Sequence, residues 1–118
     1  MGGMSDAPAD PLLRARALVL HDLAAYGADT PDVVDLVEDV VVERRWWVGQ
    51  WPEGGAYVAG QVAQDVQDRL MDTEGRWPTC RVHDGEPLGV EPELGPDPHW
   101  VCTEGCGVVA PLGALPPG

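Results

Sequence analysis

Apolar residues recur at helical spacing over the first two thirds of the chain, and this pattern predicts three helices. The first helix is predicted over residues 10–27, because Asp10 suits an N-cap, Pro11 suits a first turn and Gly27 suits a C-terminal stop. The apolar residues that recur on one face of this helix are Leu12, Leu13, Ala17, Leu20 and Ala24, with Leu23 beside them. We therefore expect this face to be buried.

The second helix is predicted over residues 29–47, although its six valines taken alone favour a strand. The distribution of charges along this segment favours a helix instead. Asp32 and Asp35 lie near the positive end of the helix dipole, and Arg44 and Arg45 lie near the negative end. The apolar positions at helical spacing are Val33, Leu36, Val37, Val40 and Trp47, with Val34 and Val41 beside them.

A third helix is predicted over residues 56–72, after the turn sequence WPEGG. Its apolar residues stand four apart, at Val58, Val62, Val66 and Leu70. Gly60 weakens the helix by about 1 kcal/mol relative to alanine unless it permits close packing. Short turns between three helices favour a compact bundle.

The character of the chain changes after residue 72, where helical spacing ends and glycine and proline become frequent. Short apolar runs bounded by turn residues predict brief strands there, at residues 89–90, 100–101 and 108–112. The predicted fold class is therefore α+β. A three-helix N-terminal part, residues 10–72, is followed by a small zinc-ribbon-like β part, residues 76–115.

The second part contains the residues with the clearest chemistry. Cys80 and His83 form a C-x2-H pair, and after eighteen intervening residues Cys102 and Cys106 form a C-x3-C pair. Structural zinc is held by four nitrogen or sulfur ligands in a tetrahedron, which a Cys3His set supplies. Because this segment has few apolar residues, we expect a bound zinc to provide stability that its own core lacks.

Other interpretations of these residues remain open in the sequence. His99 competes with Cys106 for the position of fourth ligand, and the cysteines could be free thiols. Glu104 could act as the general base of a catalytic metal site, if one coordination position were open. A metal between helices is a further alternative, with His21, Asp22, Glu38, Asp39 and Glu43 as its ligands.

The chain is strongly acidic, with 20 acids against seven arginines, a net charge of −13 and no lysine. Such a surface repels phosphate backbones and disfavours ordinary nucleic-acid binding. It favours either simple solubility or an acidic mimic of nucleic acid. No apolar run is long enough for a membrane span, and no basic, apolar leader with small residues is recognisable, so we expect a cytoplasmic protein. Its three cysteines cannot all pair, which also favours metal over disulfides.

Residues 44–58 form an unusual segment in which aromatic and basic side chains are concentrated. The residues are Arg44, Arg45, Trp46, Trp47, Trp51 and Tyr57. Tryptophan, tyrosine and arginine are the usual hot-spot residues of protein interfaces, so this segment is a candidate partner-binding surface. The alternative is structural, because a small chain needs large side chains to fill its core.

Four stretches resemble a group of small uncharacterised proteins of GC-rich Gram-positive bacteria. They are ERRWWVGQWPEGGAYVAGQVAQDVQDRL at 43–70, RWPTCRVH at 76–83, PDPHWVC at 96–102 and VVAPLGAL at 108–115. The resemblance implies a helix-plus-zinc-ribbon architecture and carries no activity. In that group the first pair resembles Cys-x2-Cys or Cys-x2-His, and the second is often a single cysteine.

These observations predict a zinc-binding acidic protein that is a non-enzymatic adaptor or assembly subunit and binds a protein partner. The first alternative is an acidic nucleic-acid mimic that blocks a DNA- or RNA-binding protein. The second is a small metal-dependent hydrolase. Direct nucleic-acid binding and membrane association are not expected.

Overall fold

Three helices are followed by a small antiparallel sheet in the computed structural model, which describes residues 10–92 and 94–117. The helices are α1, Pro11–Ala25; α2, Pro31–Gln50; and α3, Val58–Thr73, with a 3-10 turn at Pro52–Ala56 between the last two. The strands are β1, Gly89–Glu91; β2, His99–Cys102; and β3, Gly107–Pro111, in the order β1-β2-β3. The predicted α+β class, with helices first and a small β part last, is confirmed.

The two N-caps expected from the sequence form. The Asp10 carboxylate accepts a hydrogen bond from the Leu12 N–H at 2.9 Å, and the Thr30 hydroxyl accepts one from the Val33 N–H at 3.4 Å. Gly27 follows the end of α1 with a φ of +66°, a backbone conformation that glycine adopts without strain. Local side-chain chemistry thus defines where α1 and α2 begin, and a glycine follows the end of α1.

The buried face of α1 differs from the predicted one. Leu13 is 56% exposed, and Ala17 and Ala24 are also exposed. The residues that α1 buries are Leu12, Ala15, Val19, Asp22 and Leu23. The prediction is confirmed for Leu12 and Leu23 and wrong for Leu13, Ala17 and Ala24, because it followed only apolar side chains, whereas the face that meets the core contains a buried carboxylate.

Helices α2 and α3 bury the predicted faces. α2 buries Val33, Val37, Val40 and Val41, and α3 buries its four regularly spaced apolar residues together with Ala63. α2 continues to Gln50, past the predicted end at residue 47, because the chain turns only at the 3-10 segment. Within the two described ranges, no helix has both the length and the apolar character needed to cross a membrane.

The sheet places one row of side chains against the helices. Val90 of β1 lies opposite Trp100 of β2, which lies opposite Ala110 of β3, and all three are buried. The β2–β3 register shifts between Trp100 and Val101, which makes Val109 an extra residue in β3. Because side chains alternate along a strand, Cys102 also points to the buried side, two residues beyond Trp100.

The helices and the C-terminal part share one hydrophobic core. The buried cluster contains residues of all three helices together with Trp77, Leu88, Val90, Trp100, Leu112 and Leu115. The Gln67 side-chain amide on α3 also donates to the carbonyls of Trp77 and Leu88, at 3.2 and 2.7 Å. The sequence suggested that a metal must compensate for a missing core in this part. The structure shows instead that this part shares the core of the helices, so packing against them stabilises it.

Candidate metal centre

The first pair of candidate ligands lies in a narrow loop between residues 78 and 88. The Cys80 N–H donates to the Glu86 carbonyl at 2.7 Å, and the Leu88 N–H donates to the Pro78 carbonyl at 2.8 Å. Gly85 turns the chain back with a φ of +79°. The loop therefore folds back on itself and brings His83 close to Cys80.

The second pair lies in the hairpin turn between β2 and β3. Cys102 is the last residue of β2, and Cys106 immediately precedes β3. Gly105 and Gly107 on either side of Cys106 have φ values of +133° and +72°, which favour glycine. A Cβ atom at Gly105 would lie 3.9 Å from the His83 ring, so this turn lies against the first loop.

The two loops bring four side chains together. One ligand atom from each of Cys80, His83, Cys102 and Cys106 lies within 4.8 Å of the others, so this group could hold a metal ion. The His83 Nδ1 atom lies 3.5, 3.4 and 3.5 Å from the sulfurs of Cys80, Cys102 and Cys106. The sulfurs of Cys80 and Cys106 are 3.7 Å apart. No disulfide links the three cysteines.

These separations match the edges of a metal-centred tetrahedron. With metal–sulfur bonds of about 2.3 Å and a metal–nitrogen bond of about 2.0 Å, two sulfurs lie about 3.8 Å apart and a sulfur lies about 3.5 Å from the nitrogen. The measured values are 3.7 Å and 3.4–3.5 Å. The side chains are thus spaced so that a single ion at their centre would reach all four.

Backbone hydrogen bonds favour the thiolate form of Cys80. The N–H groups of Val82 and His83 donate to its sulfur at 3.4 and 3.3 Å. The backbone N–H groups of His83 and Val82, with the His83 ring, lower the pKa of Cys80 to about 6. The neighbouring Cys80 sulfur raises the pKa of Cys106 to about 11. A cation at the centre would favour the charged form of both, because metals bind thiolates.

Comparison with protein families identifies the family of this chain. A family model described as a domain of unknown function, DUF8819, matches residues 8–112, a range that contains every helix and strand described above. The chain belongs to the DUF8819 family. No curated protein and no solved structure gave a significant match.

The geometry of this DUF8819 chain distinguishes between the two candidates for the fourth ligand. Cys106 lies in the group, whereas the Nδ1 atom of His99 lies 2.8 Å from the Asp97 carbonyl. Glu104 is an exposed residue of the hairpin turn and is not part of the group. Cys80 and Cys102 are buried, His83 is half-buried and Cys106 is exposed. The site is therefore open to solvent on its Cys106 side.

Asp22, considered above as a ligand between helices, has a different set of contacts. It is fully buried and accepts hydrogen bonds from the Trp100 indole N–H at 2.7 Å and from the N–H groups of Gly113 and Leu115 at 2.6 and 3.0 Å. The His21 Nδ1 atom lies 2.9 Å from Oδ1 of Asp22, the oxygen that also accepts from Leu115. No interhelical group of three or more potential ligands occurs in the part of the chain that the structure describes.

The role of Asp22 was missed, although the sequence contained a signal for it. Ala15, Val19 and Asp22 follow one another at spacings of four and three residues, which places all three on one face of α1. An acid at such a position is expected to be hydrogen-bonded if that face is buried.

The aromatic segment divides into two kinds of residue. Trp47 and Trp51 pack edge to face with ring centroids 5.3 Å apart, and Tyr57 lies 6.0 Å from Trp51. Arg44 lies over the Trp47 ring and pairs with Asp65 of α3. These residues are engaged within the fold. Trp46 is 69% exposed and makes no ring contact within the described residues.

Proposed function

We propose that the chain binds one structural zinc ion through Cys80, His83, Cys102 and Cys106. The observation that supports this most strongly is the agreement between the S···S and S···N separations and the edges of a zinc tetrahedron. The donor set supports the choice of metal, because three sulfurs and one imidazole nitrogen are typical of structural zinc.

A structural role is supported over a hydrolytic one. Four protein ligands fill a tetrahedron, whereas catalytic zinc keeps one position for water or substrate. Glu104, the residue considered as a general base, is an exposed turn residue and is not one of the four potential ligands. The ion would tie the loop of residues 78–88 to the β2–β3 turn, which are joined in sequence only through β1 and β2.

With the ion in a structural role, we infer that the chain acts as a non-enzymatic adaptor or assembly subunit that binds a protein partner. The supporting feature is a surface that combines an exposed tryptophan with a large excess of acids. Tryptophans are among the residues that contribute most to binding at protein interfaces.

Native mass spectrometry of the unmodified protein tests the zinc assignment. We expect one zinc per chain in the wild type and its loss in Cys80→Ser and Cys106→Ser, because each variant removes a ligand. His99→Gln is the matched control and should keep its zinc, since His99 lies outside the group. Full zinc content in Cys80→Ser, or a wild-type protein that is ordered throughout residues 77–115 without metal, would contradict the assignment.

A further inference from the structure

The outward face of α2 carries a stripe of exposed residues that the fold leaves uncovered. Asp35, Asp39, Val42, Trp46 and Gly49 follow one another at alternating spacings of four and three, which places them on one line along the helix. All five are exposed, and Val42 and Trp46 are 67% and 69% exposed. The stripe lies opposite the buried valines of the same helix. Two large apolar side chains one turn apart are therefore presented to solvent.

A groove between α2 and α3 lies beside this stripe, and we call it the α2–α3 groove. One cavity of about 440 Å³ is lined by Glu43, Trp46, Asp68 and Arg69, among others. A second cavity of about 390 Å³ is lined by Asp35, Asp39, Arg69 and Asp72, among others. Both cavities include Arg69 in their lining, so the groove continues past Trp46 along the acidic half of α2.

The groove contains more carboxylates than arginines. Its two arginines are already paired, Arg44 with Asp65 at 2.6 Å and Arg69 with Glu43. Five further carboxylates line the two cavities and have no ion-pair partner in the described ranges: Asp32, Asp35, Asp39, Asp68 and Asp72. The groove therefore offers a concentrated negative potential next to an apolar anchor point.

We propose that the α2–α3 groove binds a basic amphipathic helix of a partner protein. The alternating spacing of the stripe suits a second helix, whose large apolar residue would pack on Val42 and Trp46. Lysine or arginine side chains of that helix would meet the unpaired carboxylates. This inference deepens the adaptor role proposed above and rests on it.

Charge is also the reason for choosing this occupant over others. Two copies of the chain joined through this face would bring two sets of unpaired carboxylates together, which is unfavourable. A nucleic acid would meet the same repulsion between its phosphates and the groove. A basic segment is the occupant whose charge complements the groove and whose apolar residue would cover Trp46.

Fluorescence anisotropy with a labelled peptide tests the proposal on the full-length, zinc-loaded protein. The probe is a helical leucine–lysine peptide of about 18 residues with one apolar face. We expect Trp46→Ala to weaken its binding at least about tenfold, as for a hot-spot tryptophan. We expect the double variant Asp35→Asn, Asp39→Asn to weaken it about fivefold at low salt and less in about 0.3 M salt.

Matched controls separate the groove from general acidity. Leu13→Ala removes an exposed apolar side chain from α1, and Glu91→Gln with Asp97→Asn removes two exposed acids from the sheet region. Both controls should bind the probe within about twofold of wild type, since they are surface changes outside the groove. A second probe with alanine in place of leucine has the same charge and should bind at least about tenfold more weakly.

Several results would overturn the inference. If Trp46→Ala bound the peptide as tightly as the wild type, Trp46 would not be a contact residue. If the Asp35/Asp39 variant and the Glu91/Asp97 variant lost the same affinity, the peptide would be attracted by net charge alone. A dimer that Trp46→Ala dissociates would assign the face to a second copy. Metal content, measured on the same samples, separates this proposal from the zinc assignment. If the protein contains zinc but does not bind the peptide, only the proposal for the α2–α3 groove is refuted. If it binds the peptide but contains no zinc, only the zinc assignment is refuted.

Discussion

Asp22 is the residue whose surroundings most depend on the fold. Its carboxylate accepts hydrogen bonds from Trp100 in β2 and from the backbone at Gly113 and Leu115, which lie 78, 91 and 93 residues further along the chain. Hydrogen bonds to a charged group contribute about 1.5–3 kcal/mol each when buried. One side chain on α1 thus holds both the sheet and the C-terminal segment against the helices.

We expect Asp22→Ala to lower the free energy of unfolding by about 3 kcal/mol or more, because two buried donors and one half-buried donor lose their acceptor. Asp22→Asn keeps one acceptor oxygen and should lose less, about 1–2 kcal/mol. Urea unfolding followed by tryptophan fluorescence measures both. Asp97→Ala, an exposed acid, is the control and should change stability by less than about 0.5 kcal/mol. A similarly small change in Asp22→Ala would show that the carboxylate is not needed.

At the level of elements, the corner between α2 and α3 depends on tight packing of aromatic rings around a glycine. A Cβ atom at Gly54 would lie 2.7 Å from the Trp51 ring and 3.0 Å from the Trp47 ring. Gly49, near the end of α2, has no other atom within 4 Å of such a Cβ. The same substitution therefore has opposite expected effects at two positions five residues apart.

Gly54→Ala should lower stability by about 1–3 kcal/mol, because the added methyl group must displace a tryptophan ring. Gly49→Ala should raise it by up to about 1 kcal/mol, because alanine is the better helix former and the space is open. Thermal unfolding followed by circular dichroism compares the two. If both variants were equally stable, the close packing of Trp47 and Trp51 on Gly54 would be refuted.

At the scale of the whole molecule, the C-terminal part has one side packed on the helices and another that carries the proposed metal site. Trp77 and Trp100 pack edge to face in the shared core, with ring centroids 5.4 Å apart. The proposed metal ligands Cys102 and Cys106 lie at the end of the sheet, in and beside the β2–β3 turn, and Cys106 is exposed. We therefore expect the core side of the sheet to depend on the helices, and the two loops to depend on the proposed zinc.

Removal of the metal with a chelator should lower the melting temperature by more than about 10 °C, since structural zinc contributes several kcal/mol to folding. Hydrogen exchange should increase first in residues 78–88 and 102–107, while α1–α3 remain protected. Addition of one equivalent of zinc should restore protection in both loops. Unchanged exchange in these loops after the metal is removed would show that the ion does not order them.

Much of this architecture could be predicted from the sequence, because the signals are local. Helix caps act within three or four residues, and Asp10 and Thr30 form the hydrogen bonds their positions predict. The strands follow short apolar runs between turn residues, and the spacing of Cys80 and His83 already suits a single turn around a metal. In each case the interacting groups are close along the chain, so spacing and residue type are sufficient.

Where the sequence offered several residues of similar chemistry, only the tertiary structure decided which of them come into contact. Whether Cys106 or His99 joins the ligand group depends on how the β2–β3 turn meets a loop about twenty residues earlier. The buried face of α1 depends on donors contributed by the distant Trp100 and Leu115. Likewise, Trp47 is half-buried because it packs on Trp51 and Gly54 at the corner after α2, whereas the preceding Trp46 is exposed. Such choices depend on long-range packing, because a helix places apolar residues on several faces and only its neighbours determine which one is buried.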